Sequence, residues 1–208
     1  MEEKESKRSD NAVTIDIDEV HFYLEADLRR KWSFKGSSSV FVKSNSSGRS
    51  KLSYYGAVVP EKGEIILMEA EKFNQEETAK FLELVRSHFP GRRIDLVWDR
   101  ASHHKGGKVK EALARYNIRE EALPPYSPEL SKIEPLWKWI REKVTYNYGH
   151  NKKEELRKNI LATVDEIKCS PEKISKRLKR NTSQIKELLE IEEKMNPRNS
   201  YYSLYRYG

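Results

Sequence analysis

The chain has 208 residues, of which 37% are apolar and 35% charged, so it is long enough for one domain with a proper core and an appendage. It contains no apolar run that could cross a bilayer, and its polar N-terminus lacks the apolar segment of a signal peptide. The single cysteine, Cys169, excludes an internal disulfide and favours a cytoplasmic location.

The net charge of +7 is concentrated in the last third of the chain. Residues 1–137 contain 23 basic and 23 acidic side chains, whereas residues 138–208 contain 17 and 10. A basic region that follows a neutral one is typical of a protein that holds a polyanion. A helix surface kept soluble by lysines is the alternative, and charge alone does not separate the two.

The first part of the chain predicts a charged, disordered tail over residues 1–11 and then strands. Alternating or continuous apolar residues predict three antiparallel strands, at residues 13–18, 52–59 and 64–70. A short apolar piece, residues 40–42, stands between serine-rich turns. Pro60–Gly63 is a turn, which makes the second and third strands a hairpin.

The remainder of the chain predicts helices that alternate with strands. Asn74, followed three residues later by Glu77, forms a capping box that begins the first helix. The later elements are a strand at 94–98, a helix at 108–116, a strand at 118–123, and helices that begin at 134, 153 and 170. This order predicts an α/β fold with a mixed five-stranded sheet, in which three antiparallel strands precede parallel crossovers, and helices flank the sheet.

Three carboxylates stand where strands end or a helix begins. Asp18 lies in the first strand, Asp99 directly follows the fourth, and Glu134 opens a helix that is approached through a rigid proline-rich segment. Carboxylates placed in this way can converge on two divalent cations. Two such ions stabilise both the attacking and the leaving oxygen when a phosphodiester is cleaved. The pattern therefore favours metal-dependent cutting of nucleic acid.

Each of these acids also has an ordinary structural interpretation. Asp16 lies on the same strand face as Asp18, and the pattern alone leaves the two nearly even. An aspartate after a strand, such as Asp99, is commonly a turn residue. A glutamate in a first helical turn, such as Glu134, is favoured by the helix dipole. Glu129 is the fallback acid.

Four sequence blocks carry a family likeness. They are Asp18-Glu19-Val20-His21-Phe22, Arg30-Lys31-Trp32 with Gly36, Trp98-Asp99-Arg100-Ala101-Ser102-His103-His104-Lys105, and the segment from Leu123 to Trp137. Together they resemble the catalytic domain of DDE transposases of the mariner superfamily, in its prokaryotic insertion-sequence branch. The resemblance spans about residues 13–168. Its departures are Arg100 in place of the usual Asn, and Ser131-Lys132 in place of Asn-Pro.

The resemblance implies a ribonuclease H-like fold and a transposase that cleaves and joins DNA strands at insertion-sequence ends. It implies that Asp18, Asp99 and Glu134 are catalytic and bind two Mg²⁺ ions, for which Mn²⁺ can substitute. DNA, with a TA target, and a homodimer are the implied partners. The family's helix-turn-helix region has no match, so either a separate polypeptide supplies it or the protein has been repurposed.

The predicted organisation is a tail over residues 1–11, a ribonuclease H-like domain over 12–168, and a basic, helical and tyrosine-rich extension over 169–208. The candidate DNA contacts are Arg100, His104, Lys105, Lys132, Lys138, Arg141, Lys176, Arg177, Lys179 and Arg180. For the cluster in the extension, a solvated helix face is an equal alternative. The terminal tyrosines suit either stacking on bases or docking against a second subunit.

Neighbours of the acids have more modest expected roles. Glu19 is expected to be structural and Trp137 to lie in the core. His104 holds the family's histidine position, which implies that it orients a carboxylate or contacts DNA. His103 is expected to be incidental. No second pair of ligands stands at zinc spacing from the two histidines, so zinc is not expected.

Two other functions compete with transposition. One is a domesticated DDE nuclease that cuts DNA without transposing. The other is a catalytically silent DNA-binding or assembly protein, to which Arg100 and Lys132 point.

Overall fold

The computed structural model describes residues 12–30, 50–99, 101–123 and 131–178. Its strands are β1 (Ala12–Tyr23), β2 (Lys51–Val59), β3 (Glu64–Ala70), β4 (Arg93–Trp98) and β5 (Ile118–Ala122). Its helices are α1 (Gln75–His88), α2 (Gly107–Arg115), α3 (Glu134–Val144), α4 (Lys153–Lys168) and α5 (Pro171–Leu178), and a 3₁₀ turn spans Ser102–Lys105.

The strands form one mixed sheet in the order β3-β2-β1-β4-β5. β1 pairs antiparallel with β2, and β2 with β3, whereas β1 and β4, like β4 and β5, are parallel. The predicted mixed five-stranded α/β fold is therefore confirmed. The predicted helix cap at Asn74 is also found, because Asn74 Oδ1 accepts a hydrogen bond from the backbone N–H of Glu77 at 2.9 Å.

β1 continues five residues beyond the predicted first strand, as far as Tyr23. The extension pairs with β2 as far as Tyr23 opposite Lys51, and it buries Val20 and Phe22 on one face. Asp18 is consequently an interior residue of β1 rather than its end. With respect to β4, however, it lies just beyond the end of the parallel ladder, whose last pair is Asp16 and Val97.

Helices cover both faces of the sheet and bury a core on each. The first core contains Ile15 and Ile17 of β1 together with buried side chains of α1 and α2. The second contains Val20 and Phe22 of β1 together with buried side chains of α3, α4 and α5. We call α1 and α2 the first layer and α3, α4 and α5 the second layer. Alternate β1 side chains therefore face different layers.

Several predictions from the sequence lie outside the described residues. They are the tail over 1–11, the apolar piece at 40–42, the proline-rich segment with Glu129, most of the second family block, and residues 179–208. The domain limit at residue 168 stays a prediction, although Ile174 and Leu178 of α5 are buried in the second core. Within the described ranges, no helix has both the length and the apolar composition that a membrane span requires.

Candidate active site

Strand register brings Asp18 and Asp99 to the same level of the sheet. The parallel β1–β4 ladder pairs Asp16 with Val97, and two residues further along each chain are Asp18 and Asp99. Neighbouring strands in a sheet are about 4.8 Å apart. The two aspartates are therefore held by adjacent backbones at the carboxyl end of β4, which is where open α/β sheets carry their sites.

Asp18 is oriented by an indole from the second layer. The Nε1–H of Trp137 donates a hydrogen bond to Asp18 Oδ2 at 2.9 Å. Trp137 is only 1% exposed and lies one helical turn after Glu134, on α3. Gly56 of β2 pairs with Asp18, and a Cβ at this position would overlap the Trp137 ring. The missing side chain of Gly56 thus makes the space through which the indole reaches the carboxylate.

The environment of Asp18 disfavours its negative charge. Burial, reinforced by the charges of Glu19 and Glu134, raises its pKa from 3.8 to about 7, against the opposing hydrogen bonds from Trp137 and the Glu19 backbone. Glu134, the first residue of α3, is one of the two neighbouring acids whose charge contributes to this shift. A hard divalent cation would relieve this crowding of like charges, and oxygen donors are the ligands that Mg²⁺ prefers. The donor set therefore fits the metal that the resemblance implies.

Asp99 is accessible to solvent, with 61% of its side chain exposed. Its Oδ1 accepts a hydrogen bond from the backbone N–H of Ala101 at 2.8 Å, as a turn aspartate does. The same oxygen lies 3.2 Å from Nδ1 of His104. Asp99 therefore has the contacts of a turn residue, which was the structural alternative to a catalytic role. The same contacts hold its carboxylate in a position that solvent can reach.

Glu134 is exposed at the start of α3, directly after the fully buried Ile133. Ile133 packs in the second core and so anchors the first turn of the helix. The glutamate stands beside the unpaired N–H groups of the helix start, where the dipole favours negative charge. This placement accounts for Glu134 as a structural residue, while its charge on Asp18 links it to the candidate site.

Asp16 and Asp18, which the pattern left nearly even, occupy different environments. Asp16 is 1% exposed, and its Oδ1 accepts a hydrogen bond from the backbone N–H of Lys132 at 3.0 Å. It therefore fastens the segment that leads into α3. Asp18 is the aspartate of this face that meets both Trp137 and the charge of Glu134.

Glu19 points to the opposite face of β1 and meets two histidines. Its Oε1 lies 3.0 Å from Nε2 of His103 and 3.0 Å from Nε2 of His104. Burial alone would raise the pKa of Glu19, but the contacts with both histidines outweigh it and lower the pKa. Burial likewise opposes charge on His104, yet Glu19 and Asp99 raise its pKa. His103 therefore belongs to a cluster with Glu19 and His104 rather than being incidental, and no pattern in the sequence indicated this contact.

The candidate DNA contacts fall into different environments. Arg100, Lys179 and Arg180 lie outside the described residues. His104 is 3% exposed, so its contacts support the carboxylate-orienting alternative. Three side chains are engaged within the protein: Lys132 with Glu61 at 2.6 Å, Arg141 over the Phe22 ring, and Arg177 with Glu142 and the Trp139 ring. Lys105, Lys138 and Lys176 are exposed.

The sheet order and the helices on both faces define an α/β protein with a ribonuclease H-like fold. The chain belongs to the DDE superfamily endonucleases, because the model of that family matches residues 14–157. A comparison with curated proteins gave no match.

Solved transposase and integrase assemblies share the fold. The chain is similar to the Mos1 transposase paired-end complex with the left transposon end, at 14% identity and a TM-score of 0.56 over 85% of this chain and 58% of that one. It is similar to the mariner Mos1 paired-end complex with Mg, at 15% identity and 0.58, over 80% and 53%. A simian T-cell lymphotropic virus intasome gives 13% and 0.50, over 76% and 47%. The chain thus spans less than two thirds of each of these relatives.

Proposed function

We propose that this protein is a transposase of the prokaryotic insertion-sequence branch, which cleaves DNA strands at the ends of an element and joins them to a target. The observation that supports the proposal is the placement of the acids: strand register sets Asp18 level with Asp99, and the charge of Glu134 contributes to the raised pKa of Asp18. The match to the endonuclease family supports phosphodiester chemistry.

In this proposal Asp18 and Asp99 hold Mg²⁺ ions, and Glu134 completes the second of two ion sites; Mn²⁺ is an acceptable substitute. The ions, when bound, would activate the attacking hydroxyl and stabilise the leaving oxygen. The protein supplies the fixed positions. Trp137 holds Oδ2 of Asp18, and the Ala101 amide holds Oδ1 of Asp99, so neither carboxylate has to be ordered during the reaction.

The proposed substrate is double-stranded DNA, both at the element ends and at a TA target, and the proposed assembly is a homodimer. The solved relatives include a transposase complex with a transposon end, which supports DNA as the partner. The exposed Lys105 and Lys138, the first beside the Asp99 turn and the second on α3, are the proposed phosphate contacts nearest the acids. End recognition by a separate helix-turn-helix polypeptide remains part of the proposal.

The test is a cleavage assay with Mg²⁺ or Mn²⁺ on DNA that carries the inverted repeats flanking the gene. Asp99→Asn should abolish nicking while DNA affinity and the melting temperature stay near those of the parent. The asparagine keeps an oxygen for the Ala101 N–H but lacks the carboxylate charge that a divalent ion needs. Asp165→Asn, an exposed substitution on α4, is the matched control and should cut normally. Retained cutting by Asp99→Asn excludes the assigned role.

A catalytically silent DNA-binding protein is the second candidate, and one contact favours it. Asp99 Oδ1 is already engaged by the Ala101 amide and lies beside His104, as in a purely structural turn. This candidate predicts tight DNA binding with no nicking in either metal. Nicking of DNA without strand joining would instead identify a domesticated nuclease.

A further inference from the structure

We propose that Glu19, His103 and His104 form a binding site for a transition-metal cation of the zinc type. The cluster lies across the sheet from the Trp137 contact of Asp18, because Glu19 and Asp18 are consecutive residues of a strand. Among the described residues, these three place one ligand atom each within 4.8 Å of one another. The site itself does not depend on the proposed nuclease function.

The spacing of the ligand atoms suits a tetrahedral ion. Glu19 Oε1 lies 3.0 Å from Nε2 of His103 and 3.0 Å from Nε2 of His104. Two ligands of a tetrahedral zinc ion, bound at about 2.0–2.1 Å, are about 3.3 Å apart. The two Glu19 distances would have to lengthen by a few tenths of an ångström to admit the ion, and the ligand nitrogens of the two histidines lie within 4.8 Å of each other. Two imidazoles and one carboxylate are a donor set that zinc takes in proteins, with a fourth position open.

Hydrogen-bond chemistry at His104 points in the same direction. Nδ1 lies 3.2 Å from the backbone carbonyl oxygen of Asp99 and 3.2 Å from its Oδ1, and both are acceptors. A neutral imidazole has one N–H, and the two acceptor oxygens favour the tautomer that carries it on Nδ1. Nε2 then directs a lone pair at Glu19 Oε1, which is also an acceptor. A cation bound between them resolves this conflict, and so does a second proton on the ring, which is the competing occupant.

The site is held in shape before any ion arrives. The His104 ring stacks on Trp98 with centroids 4.1 Å apart and planes 5° apart, and its side chain is only 2% exposed. Asp99 supplies the outer contact that fixes the orientation of a metal-bound histidine in many zinc sites. The side chain of His103 is 22% exposed and provides the route of entry for the ion.

An ion here would fasten the turn after β4 to β1. His103 and His104 lie in the 3₁₀ turn, and Asp99 lies at its entrance, in contact with His104. Because His104 contacts Asp99, a cation bound to His104 would also help to hold Asp99, which is one of the proposed Mg²⁺ ligands, in place. This consequence, unlike the site itself, rests on the proposed function.

The test measures zinc on the full chain by equilibrium dialysis with elemental analysis, and Co²⁺ by its visible ligand-field bands. The parent should bind one zinc per chain, and Co²⁺ should show tetrahedral bands. His103→Ala and Glu19→Gln should each weaken binding by at least about 10-fold. His88→Ala, which removes an exposed histidine of α1, is the matched control and should bind as the parent does.

Asp18→Asn is included because zinc could also enter the acidic site. Zinc binding that survives Asp18→Asn but falls with His103→Ala assigns the ion to the histidine cluster. No zinc on the parent, or equal binding by parent and His103→Ala with all folded by thermal melting, overturns the proposal and leaves a proton on His104. Because no readout is DNA cleavage, failure of this site and failure of the nuclease remain distinguishable.

Discussion

The folded protein disfavours the ionised form of Asp18. It is the carboxylate that a buried strand position, a neighbouring acid and the start of α3 all disfavour as an anion. The hydrogen bonds from Trp137 and from the Glu19 backbone do not compensate, since the pKa still rises to about 7. A bound cation would reverse this effect, because its positive charge favours the ionised form of Asp18 and offsets the repulsion between Asp18 and the neighbouring acids.

The pH dependence of stability tests this penalty. In the unfolded chain Asp18 ionises near pH 4, but in the folded protein only near pH 7, so the folded state binds more protons between these values. Its contribution to the free energy of unfolding should therefore fall as pH rises from 4 to 7, by at most about 4 kcal/mol. Asp18→Asn should be the more stable protein above pH 7 in EDTA, and the two should converge near pH 4.

Urea unfolding across pH 4–8 measures this difference, with Asp165→Asn as the control for loss of a surface carboxylate. Mg²⁺ should stabilise the parent at pH 8 and leave Asp18→Asn nearly unchanged, because binding to the folded state alone adds to stability. A constant difference between parent and Asp18→Asn at all pH values would contradict the assigned environment.

At the scale of elements, the sequence was most informative where structure depends on local signals. β3 runs over the predicted residues, β2 and β4 each begin one residue earlier than predicted, and α1 begins directly after Asn74 as predicted. These elements depend on alternation, turn residues and a helix cap, which are all local signals. β1 was predicted too short, because its second half is specified by pairing with β2, whose residues lie about 30 positions later in the chain and so leave no local pattern.

The candidate site depended more heavily on contacts that no local pattern contains. Only the resemblance, and not the alternation, preferred Asp18 over Asp16. The structural difference between them comes from Trp137 and Lys132, which are more than 100 residues away in the chain. The Glu19 contacts with His103 and His104 likewise join positions about 85 residues apart. A glycine in a strand was the one signal that could have indicated a close approach, at Gly56.

Gly56 yields a prediction about how β2 and α3 fit together. Gly56→Ala would place a methyl group against the Trp137 ring and close to the Ile133 side chain. Overpacking of this kind typically costs about 1–3 kcal/mol, so the free energy of unfolding should fall by that amount. Gly107→Ala is the control, because a Cβ there meets nothing and the residue opens a helix. Equal stability of both variants would show that the indole does not occupy the described position.

At the scale of the whole molecule, the excess positive charge lies in the part of the chain that forms the second helix layer. The second layer is built from the basic part of the chain, since residues 138–178 contain 11 basic and six acidic side chains. The first layer belongs to the neutral part. Asp18 contacts the second layer through Trp137, and Glu134 is the first residue of that layer. A polyanion attracted to the basic helices would thus approach the same face as the candidate acids.

Salt dependence of DNA binding tells which face is used. Lys138 on α3 and Lys176 on α5 are exposed on the second layer, and Lys110 on α2 is exposed on the first. Each lost phosphate contact lowers the slope of log affinity against log salt concentration by about 0.9. Lys138→Ala and Lys176→Ala should each reduce the slope by that amount, measured by fluorescence anisotropy on one duplex, whereas Lys110→Ala should leave it unchanged. A reduced slope for Lys110→Ala alone would place the DNA on the first layer, away from the Trp137 contact of Asp18. In that case the basic helices of the second layer would not bind the DNA that is cut.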